Sequence, residues 1–134
     1  MGSILIIDDE QDIRDALLMV LEGIGHDVKV AADGDEAVDL LRREPADLVI
    51  TDIIMPGKNG IETIREIRQE FPGTRIIAIS GGGGVQSADY VPKAITTTAY
   101  LAAAKQAGAD MVITKPFERK DIIQAVTDIF GRLH

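Results

Sequence analysis

A chain of 134 residues that is 46% hydrophobic and 27% charged suits one domain over residues 1–134, and no apolar run approaches the roughly 20 residues that span a bilayer. The absence of cysteine excludes disulfides, thiol catalysis and cysteine-zinc sites, and it fits the cytoplasm, where we expect the protein to act. The net charge of −8, with no run of lysine and arginine to offset it, opposes direct binding to nucleic acid.

Short apolar runs bounded by polar residues or glycine predict β-strands. The second run alternates apolar and polar residues, as an edge strand with one solvated face does, whereas the others are nearly continuous and suit buried strands. In chain order the predicted strands are Ile4–Ile7, Val28–Ala31, Leu48–Thr51, Ile76–Ile79 and Met111–Thr114.

The segments between these runs predict helices, because their apolar residues recur every three or four positions. Asp33 is the predicted N-cap of the second helix, and Gly108 is the predicted residue that closes the fourth, Ala94–Ala107. Strands that alternate with helices in this way predict an α/β fold, a doubly wound five-stranded parallel sheet in the order 2-1-3-4-5 with helices on both faces. The apolar stripes of the remaining helices are Ile13, Leu17, Val20, Leu21 and Ile24, then Ile61, Ile64 and Ile67, and finally Ile122 to Phe130.

Polar residues follow four of the predicted strands directly. Asp8 and Asp9 follow the first strand, Asp52 the third, Ser80 the fourth and Lys115 the fifth. The carboxyl ends of parallel strands share one edge, and ligands bind there at the point where the strand order reverses, here between the first and third strands. We therefore expect Asp8 and Asp9 to face Asp52 across that crevice.

These residue types together predict a phosphoryl-transfer site. Three carboxylates in one crevice repel each other unless a cation lies between them, and an oxygen-only ligand set favours Mg²⁺ or Mn²⁺ over zinc. The ammonium group of Lys115 can pair with a phosphoryl oxygen, and Ser80 adds a hydroxyl at the same edge. A carboxylate can itself be the nucleophile in such a site.

The sequence segments I-I-D-D-E, D-I-I-M-P-G-K-N-G, A-I-S and A-D-M-V-I-T-K-P-F resemble the receiver domain of response regulators, over essentially the whole chain. The resemblance implies a flavodoxin-like fold with Asp52 as the phosphoacceptor. It also implies that Ser80 hydrogen-bonds the phosphoryl group and that Lys115 pairs with it. The implied Mg²⁺ ligands are Asp8 (largely through water), Asp9, Asp52 and the backbone carbonyl of Ile54.

The same resemblance implies a signalling module rather than an enzyme, one that catalyses only its own phosphorylation and dephosphorylation. A histidine kinase or a histidine phosphotransfer protein would donate the phosphoryl group, and a downstream protein would read it or a phosphorelay would pass it on. We expect no fused output domain, because only Gly-Arg-Leu-His follows Phe130.

Two features depart from the family pattern. Relatives usually carry tyrosine or phenylalanine three residues before the lysine, where this chain has Val112. The segment between Ser80 and Lys115 is also longer than usual by roughly a dozen residues, a length typical of functional or disordered loops. We expect phosphorylation to order Gly81–Tyr90 in place of the missing aromatic switch, with a passive insertion as the alternative.

Other interpretations stay open for these residues. An aspartate pair after a strand is often only a helix N-cap, and a single lysine is often only a solvated charge. A phosphohydrolase of the haloacid-dehalogenase type also uses aspartate and Mg²⁺, but it needs Asp-x-Asp where this chain has Asp8-Asp9-Glu10. A scaffold that keeps the fold and ignores phosphate is the third class. The glycines Gly81–Gly84 do not match a P-loop, because no G-K-[ST] follows them.

Overall fold

The computed structural model describes residues 2–53, 60–80, 102–114 and 117–132. All neighbouring strands pair in parallel, in the order β2-β1-β3-β4-β5, which confirms the predicted sheet. Four strands extend beyond the apolar runs, because polar residues at their ends also join the hydrogen-bond ladder. The strands are β1 Ser3–Ile7, β2 Asp27–Ala31, β3 Leu48–Asp52, β4 Arg75–Ser80 and β5 Met111–Thr114.

The helices begin and end close to the predicted signals. Asp33 caps α2 as expected, since its side chain accepts a hydrogen bond of 2.8 Å from the Glu36 amide. Gly108 follows α4 with a φ of +128°, a conformation that favours glycine. Ile24 was expected on the first helix but lies just past its end and is 36% exposed. The helices are α1 Gln11–Gly23, α2 Gly34–Arg43, α3 Gly60–Glu70, the described part of α4 (residues 102–107) and α5 Arg119–Arg132. The first part of the predicted fourth helix, residues 94–101, lies outside the described residues.

The core lies on both faces of the sheet. On one face α2, α3 and α4 cover alternate residues of the central strands, such as Leu5 and Val49. On the other face α1 and α5 cover the residues between them, such as Ile4 and Ile50. Strands buried on both sides explain why their sequences are continuously apolar. None of the helices in the described ranges combines the length and the apolar character that a membrane span requires.

Two side-chain clusters stabilise the end of the sheet that is formed by the amino ends of the strands. Arg68 of α3 donates to the carbonyl oxygens of Thr74 and Gly108 at 2.8 Å each and to the carboxylate of Asp110 at 2.9 Å. His26, which precedes β2, stacks on Phe130 of α5 with ring centroids 4.8 Å apart. These contacts fix the helix and strand ends far from the acidic residues.

Candidate metal and phosphoryl-transfer site

The structure brings together the three aspartates that the sequence predicted to face one another. One carboxylate oxygen from each of Asp8, Asp9 and Asp52 lies within 4.8 Å of the others. Asp52 is the last residue of β3, and the Asp8-Asp9 pair follows β1, the strand beside it. Asp8 is 1% exposed and Asp52 is 6% exposed, whereas Asp9 is exposed to solvent. The cluster therefore has two buried carboxylates and one at the rim.

Asp8 is held through its main chain and its side chain. Its amide donates to the carbonyl oxygen of Ala31, at the end of β2, over 3.1 Å. Its Oδ1 accepts from the Glu10 amide at 2.9 Å, and its carbonyl oxygen accepts from Nη1 of Arg14 at 2.6 Å. The turn that carries both acids is thus fixed to β2 on one side and to α1 on the other.

The N-cap interpretation of the aspartate pair is wrong for α1. The residue at the N-cap position is Glu10, and its side chain makes no capping hydrogen bond. Asp8 and Asp9 both precede it, and the Asp8 carboxylate bonds to Glu10 within the turn rather than to the second or third residue of the helix.

The main chain on both sides of Asp52 is tightly packed. Thr51 Oγ1 donates to the carbonyl oxygen of Asp52 at 3.0 Å, and the Ile53 amide continues the ladder to the Ile79 carbonyl oxygen at 3.0 Å. Gly60, the first residue of α3, donates its amide to the Ile53 carbonyl oxygen at 2.8 Å. These bonds hold the main chain that carries the Asp52 side chain in a fixed position.

Ser80 ends β4 beside the cluster. Its neighbour Ile79 pairs with Asp52, and Ser80 itself pairs with Thr114 of β5. Its side chain is fully buried, and its hydroxyl has no hydrogen-bond partner among the residues that the structure describes. A buried polar group without a partner costs about 1–3 kcal/mol, so a ligand oxygen that bonded to this hydroxyl would bind favourably.

Three of the predicted features lie outside the described residues. They are the Ile54 carbonyl, Lys115 and the segment Gly81–Tyr90. Val112, which stands in place of the usual aromatic residue, is described: it pairs with Ala78 and packs, half-buried, against the core on the face that carries α2, α3 and α4.

Two residues that contact the site were not singled out from the sequence. Arg14 reaches the acidic turn from the first turn of α1, and Gly60 lies against the main chain of Asp52. The sequence marks Arg14 as unusual without indicating its contact, because a cation is unfavourable near the positive end of a helix dipole. Gly60 carries only the general signal of a residue with low helix propensity.

The residues of the cluster fit a hard divalent cation. Every donor is a carboxylate oxygen, which Mg²⁺ prefers, and neither histidine nor cysteine belongs to the cluster. Two of the three carboxylates are buried at close range, an arrangement in which a cation relieves their repulsion. The arrangement can therefore hold a metal ion and present a carboxylate nucleophile beside it.

Comparison with known proteins places this chain in a family. Residues 4–127 match the family model described as the response regulator receiver domain. A CheY-like receiver domain protein from Methanospirillum hungatei is 26% identical, with a TM-score of 0.83 over 98% of this chain and 95% of its own. A receiver domain protein from Clostridium thermocellum is 28% identical, with a TM-score of 0.78 over 98% and 96%. NtrX from Brucella abortus is also 28% identical, with a TM-score of 0.79, but this chain covers only 27% of it.

Proposed function

Because the chain belongs to the response regulator receiver domain family, we propose that it is a signalling module switched by phosphorylation of Asp52. Residues 1–134 form one domain, which acts in the cytoplasm on a downstream protein or within a phosphorelay. The observation that carries the proposal is the approach of three carboxylates to within 4.8 Å where β1 lies beside β3.

Asp52 is the nucleophile of the proposed reaction. A carboxylate oxygen attacks the phosphorus of a phosphohistidine on a histidine kinase or a histidine phosphotransfer protein. The bond between phosphorus and the ring nitrogen breaks, its electron pair stays on the nitrogen, and an acyl phosphate forms on Asp52. Attack by water on that phosphorus later restores the carboxylate and releases inorganic phosphate.

Asp8, Asp9, Asp52 and the Ile54 carbonyl would hold Mg²⁺. The bound ion supplies positive charge beside the carboxylates and the incoming phosphoryl oxygens. Asp8 takes part in three hydrogen bonds, which hold this residue in place before a ligand arrives. The orientation of its carboxylate is therefore set in advance. Asp9 lies at the exposed rim of the cluster, so the direct metal ligand that it would provide is accessible to solvent.

Ser80 and Lys115 would contact the transferred group. The buried Ser80 hydroxyl donates to a phosphoryl oxygen, which gives it the partner that the described residues do not supply. Lys115 directly follows Thr114, the residue paired with Ser80, and its ammonium group pairs with a second phosphoryl oxygen.

A phosphotransfer profile tests this function. The wild-type chain, Asp52→Asn and Asp27→Asn would each be incubated with phosphorylated histidine kinases of the source organism, with Mg²⁺ or with a chelator. Asp27 is exposed at the start of β2, at the end of the sheet opposite the three aspartates. Asp27→Asn therefore makes the same change in charge away from the site. We expect label on the wild type and on Asp27→Asn only with Mg²⁺, and none on Asp52→Asn.

The alternatives give other outcomes in the same experiment. A scaffold would take no label from any kinase. A phosphohydrolase would release phosphate from small phosphoesters over many turnovers, with no need for a kinase. If Asp52→Asn took up as much label as the wild type, the phosphoacceptor would be another residue.

A further inference from the structure

We propose that Arg14 is a positioning residue of this site, which sets the direction in which Asp9 is presented to Mg²⁺. The contact that carries the inference is the hydrogen bond of 2.6 Å from Nη1 of Arg14 to the carbonyl oxygen of Asp8. The inference rests on the proposed function, because it concerns the metal that the three aspartates would hold.

The carbonyl of Asp8 belongs to the peptide that joins the two acids. A peptide unit is planar, so holding its oxygen also fixes the direction of the Asp9 amide and limits where the Asp9 side chain can point. The Asp8 amide bond to Ala31 lies on the β1 side of this peptide, and the bond from the Glu10 amide to Asp8 Oδ1 closes the turn around Asp9. Arg14 therefore adds the restraint from α1 on the peptide that carries Asp9, a residue that is exposed and not held by burial.

The placement of Arg14 itself needs an explanation. Its amide donates to the Glu10 carbonyl oxygen at 3.1 Å, so it sits in the first turn of α1, where the helix dipole disfavours a cation. The guanidinium folds back toward the acidic turn and makes a charge-assisted hydrogen bond there. This bond offsets the unfavourable position of the cation near the start of the helix.

Two physical effects of Arg14 oppose each other in metal binding. Its positive charge repels Mg²⁺, so removal of the charge alone would tighten binding. Its hydrogen bond organises the Asp8-Asp9 turn, so removal of the bond would weaken binding. The sign of the change on substitution therefore separates a positioning role from simple electrostatics.

Mg²⁺ titration of three proteins measures that sign. We expect Arg14→Gln to raise the Kd for Mg²⁺ roughly ten-fold, as loss of an outer partner of a metal ligand does. Arg43→Gln is the matched control, because Arg43 is exposed at the far end of α2 and the substitution removes the same charge. We expect its Kd to stay within roughly two-fold of the wild type, since distant surface charges are screened.

A second readout needs no metal. The Glu10 amide, which bonds to Asp8 Oδ1, should exchange with solvent faster in metal-free Arg14→Gln, while the amides of β1 and β3 stay protected and show that the variant is folded. Arg14→Lys keeps the charge that repels Mg²⁺ but loses the guanidinium geometry, so we expect its Kd to be at least as high as that of Arg14→Gln.

The outcomes separate this inference from the function on which it rests. If the wild type binds Mg²⁺ and Arg14→Gln binds it equally or more tightly, the role of Arg14 is overturned and the proposed function stays intact. No Mg²⁺ binding by the wild type would overturn both. Unchanged exchange at Glu10 in a folded Arg14→Gln would show that the arginine does not hold the turn.

Discussion

Gly60 lies so close to the main chain of Asp52 that a Cβ atom added to the glycine would be 2.2 Å from the Asp52 carbonyl oxygen. The same atom would lie 2.5 Å from Cα of Ile53. Both contacts are with backbone, which cannot rotate away as a side chain can. The start of α3 is therefore packed directly against the strand end that carries the proposed phosphoacceptor.

Gly60→Ala should lower the free energy of unfolding by about 1–3 kcal/mol, the usual result of adding a methyl group to a packed site. It should also slow phosphorylation, because the clash is relieved by moving Asp52. Urea unfolding and phosphorylation rates measure the two effects. Gly23→Ala is the control, because nothing lies within 4 Å of a Cβ at Gly23 and alanine suits the helix. Equal stability of Gly60→Ala and the wild type would contradict the contact.

Asp9→Asn should raise the stability of the metal-free protein by up to about 1 kcal/mol, since it removes one of three like charges within 4.8 Å. The variant should gain little further stability from Mg²⁺, whereas the wild type should gain it by mass action. Urea unfolding with and without Mg²⁺ measures both effects. Asp15→Asn, an exposed position on α1, controls for the change in net charge. A wild type whose stability ignores Mg²⁺ would argue against the metal site.

Ser80→Ala should raise the free energy of unfolding of the unphosphorylated protein by about 1 kcal/mol, because it removes a buried hydroxyl that has no partner among the described residues. The nearby Thr51→Val is the opposite case, since Thr51 Oγ1 bonds to the Asp52 carbonyl oxygen, and it should lower stability by about 1 kcal/mol. Thermal and urea unfolding of both variants measure these changes in stability. A destabilised Ser80→Ala would mean that the hydroxyl already has a partner in the resting protein.

Local patterns in the sequence predict most of the fold. Apolar runs mark the strands to within a residue or so at each end, and Asp33 and Gly108 mark helix ends through their own hydrogen bonding and backbone preference. The convergence of the acids follows as well, because the carboxyl ends of parallel strands meet at one edge. All of these depend on period and position along the chain.

The contacts around the acids could not be predicted in the same way. The bond from Arg14 to Asp8 depends on the path of a long side chain, and the space at Gly60 depends on how closely α3 approaches β3. That Ser80 has no partner in the described ranges depends on all the atoms that surround its buried hydroxyl. Such features arise from three-dimensional packing, for which neighbours in sequence carry little information.

Stability should fall as the pH is lowered through about 6.5, and His26 should contribute to that loss. Burial lowers the pKa of His26 from its ordinary value of 6.5, so the unfolded chain binds the proton more tightly than the folded one. Protonation also removes the lone pair with which Nδ1 accepts the bond of 3.2 Å from the Gly2 amide. The His26 contribution is therefore present above the unfolded pKa and lost below it.

Melting temperatures at pH values of about 7.5 and 5.5 measure this dependence. His26→Gln keeps a polar side chain but does not titrate, so its melting temperature should change less between the two pH values than that of the wild type. An identical change in both proteins would assign the pH dependence to other groups.

Chemical mapping of the modified residue tests the central claim most directly. The protein would be incubated with acetyl phosphate and Mg²⁺ and then treated with borohydride, which reduces an acyl phosphate on aspartate to the alcohol of homoserine, and its peptides would be identified by mass spectrometry. We predict conversion at Asp52 alone, and none when a chelator removes Mg²⁺. Conversion at a different acid, or an unmodified Asp52 in protein that is folded and loaded with Mg²⁺, would contradict the account.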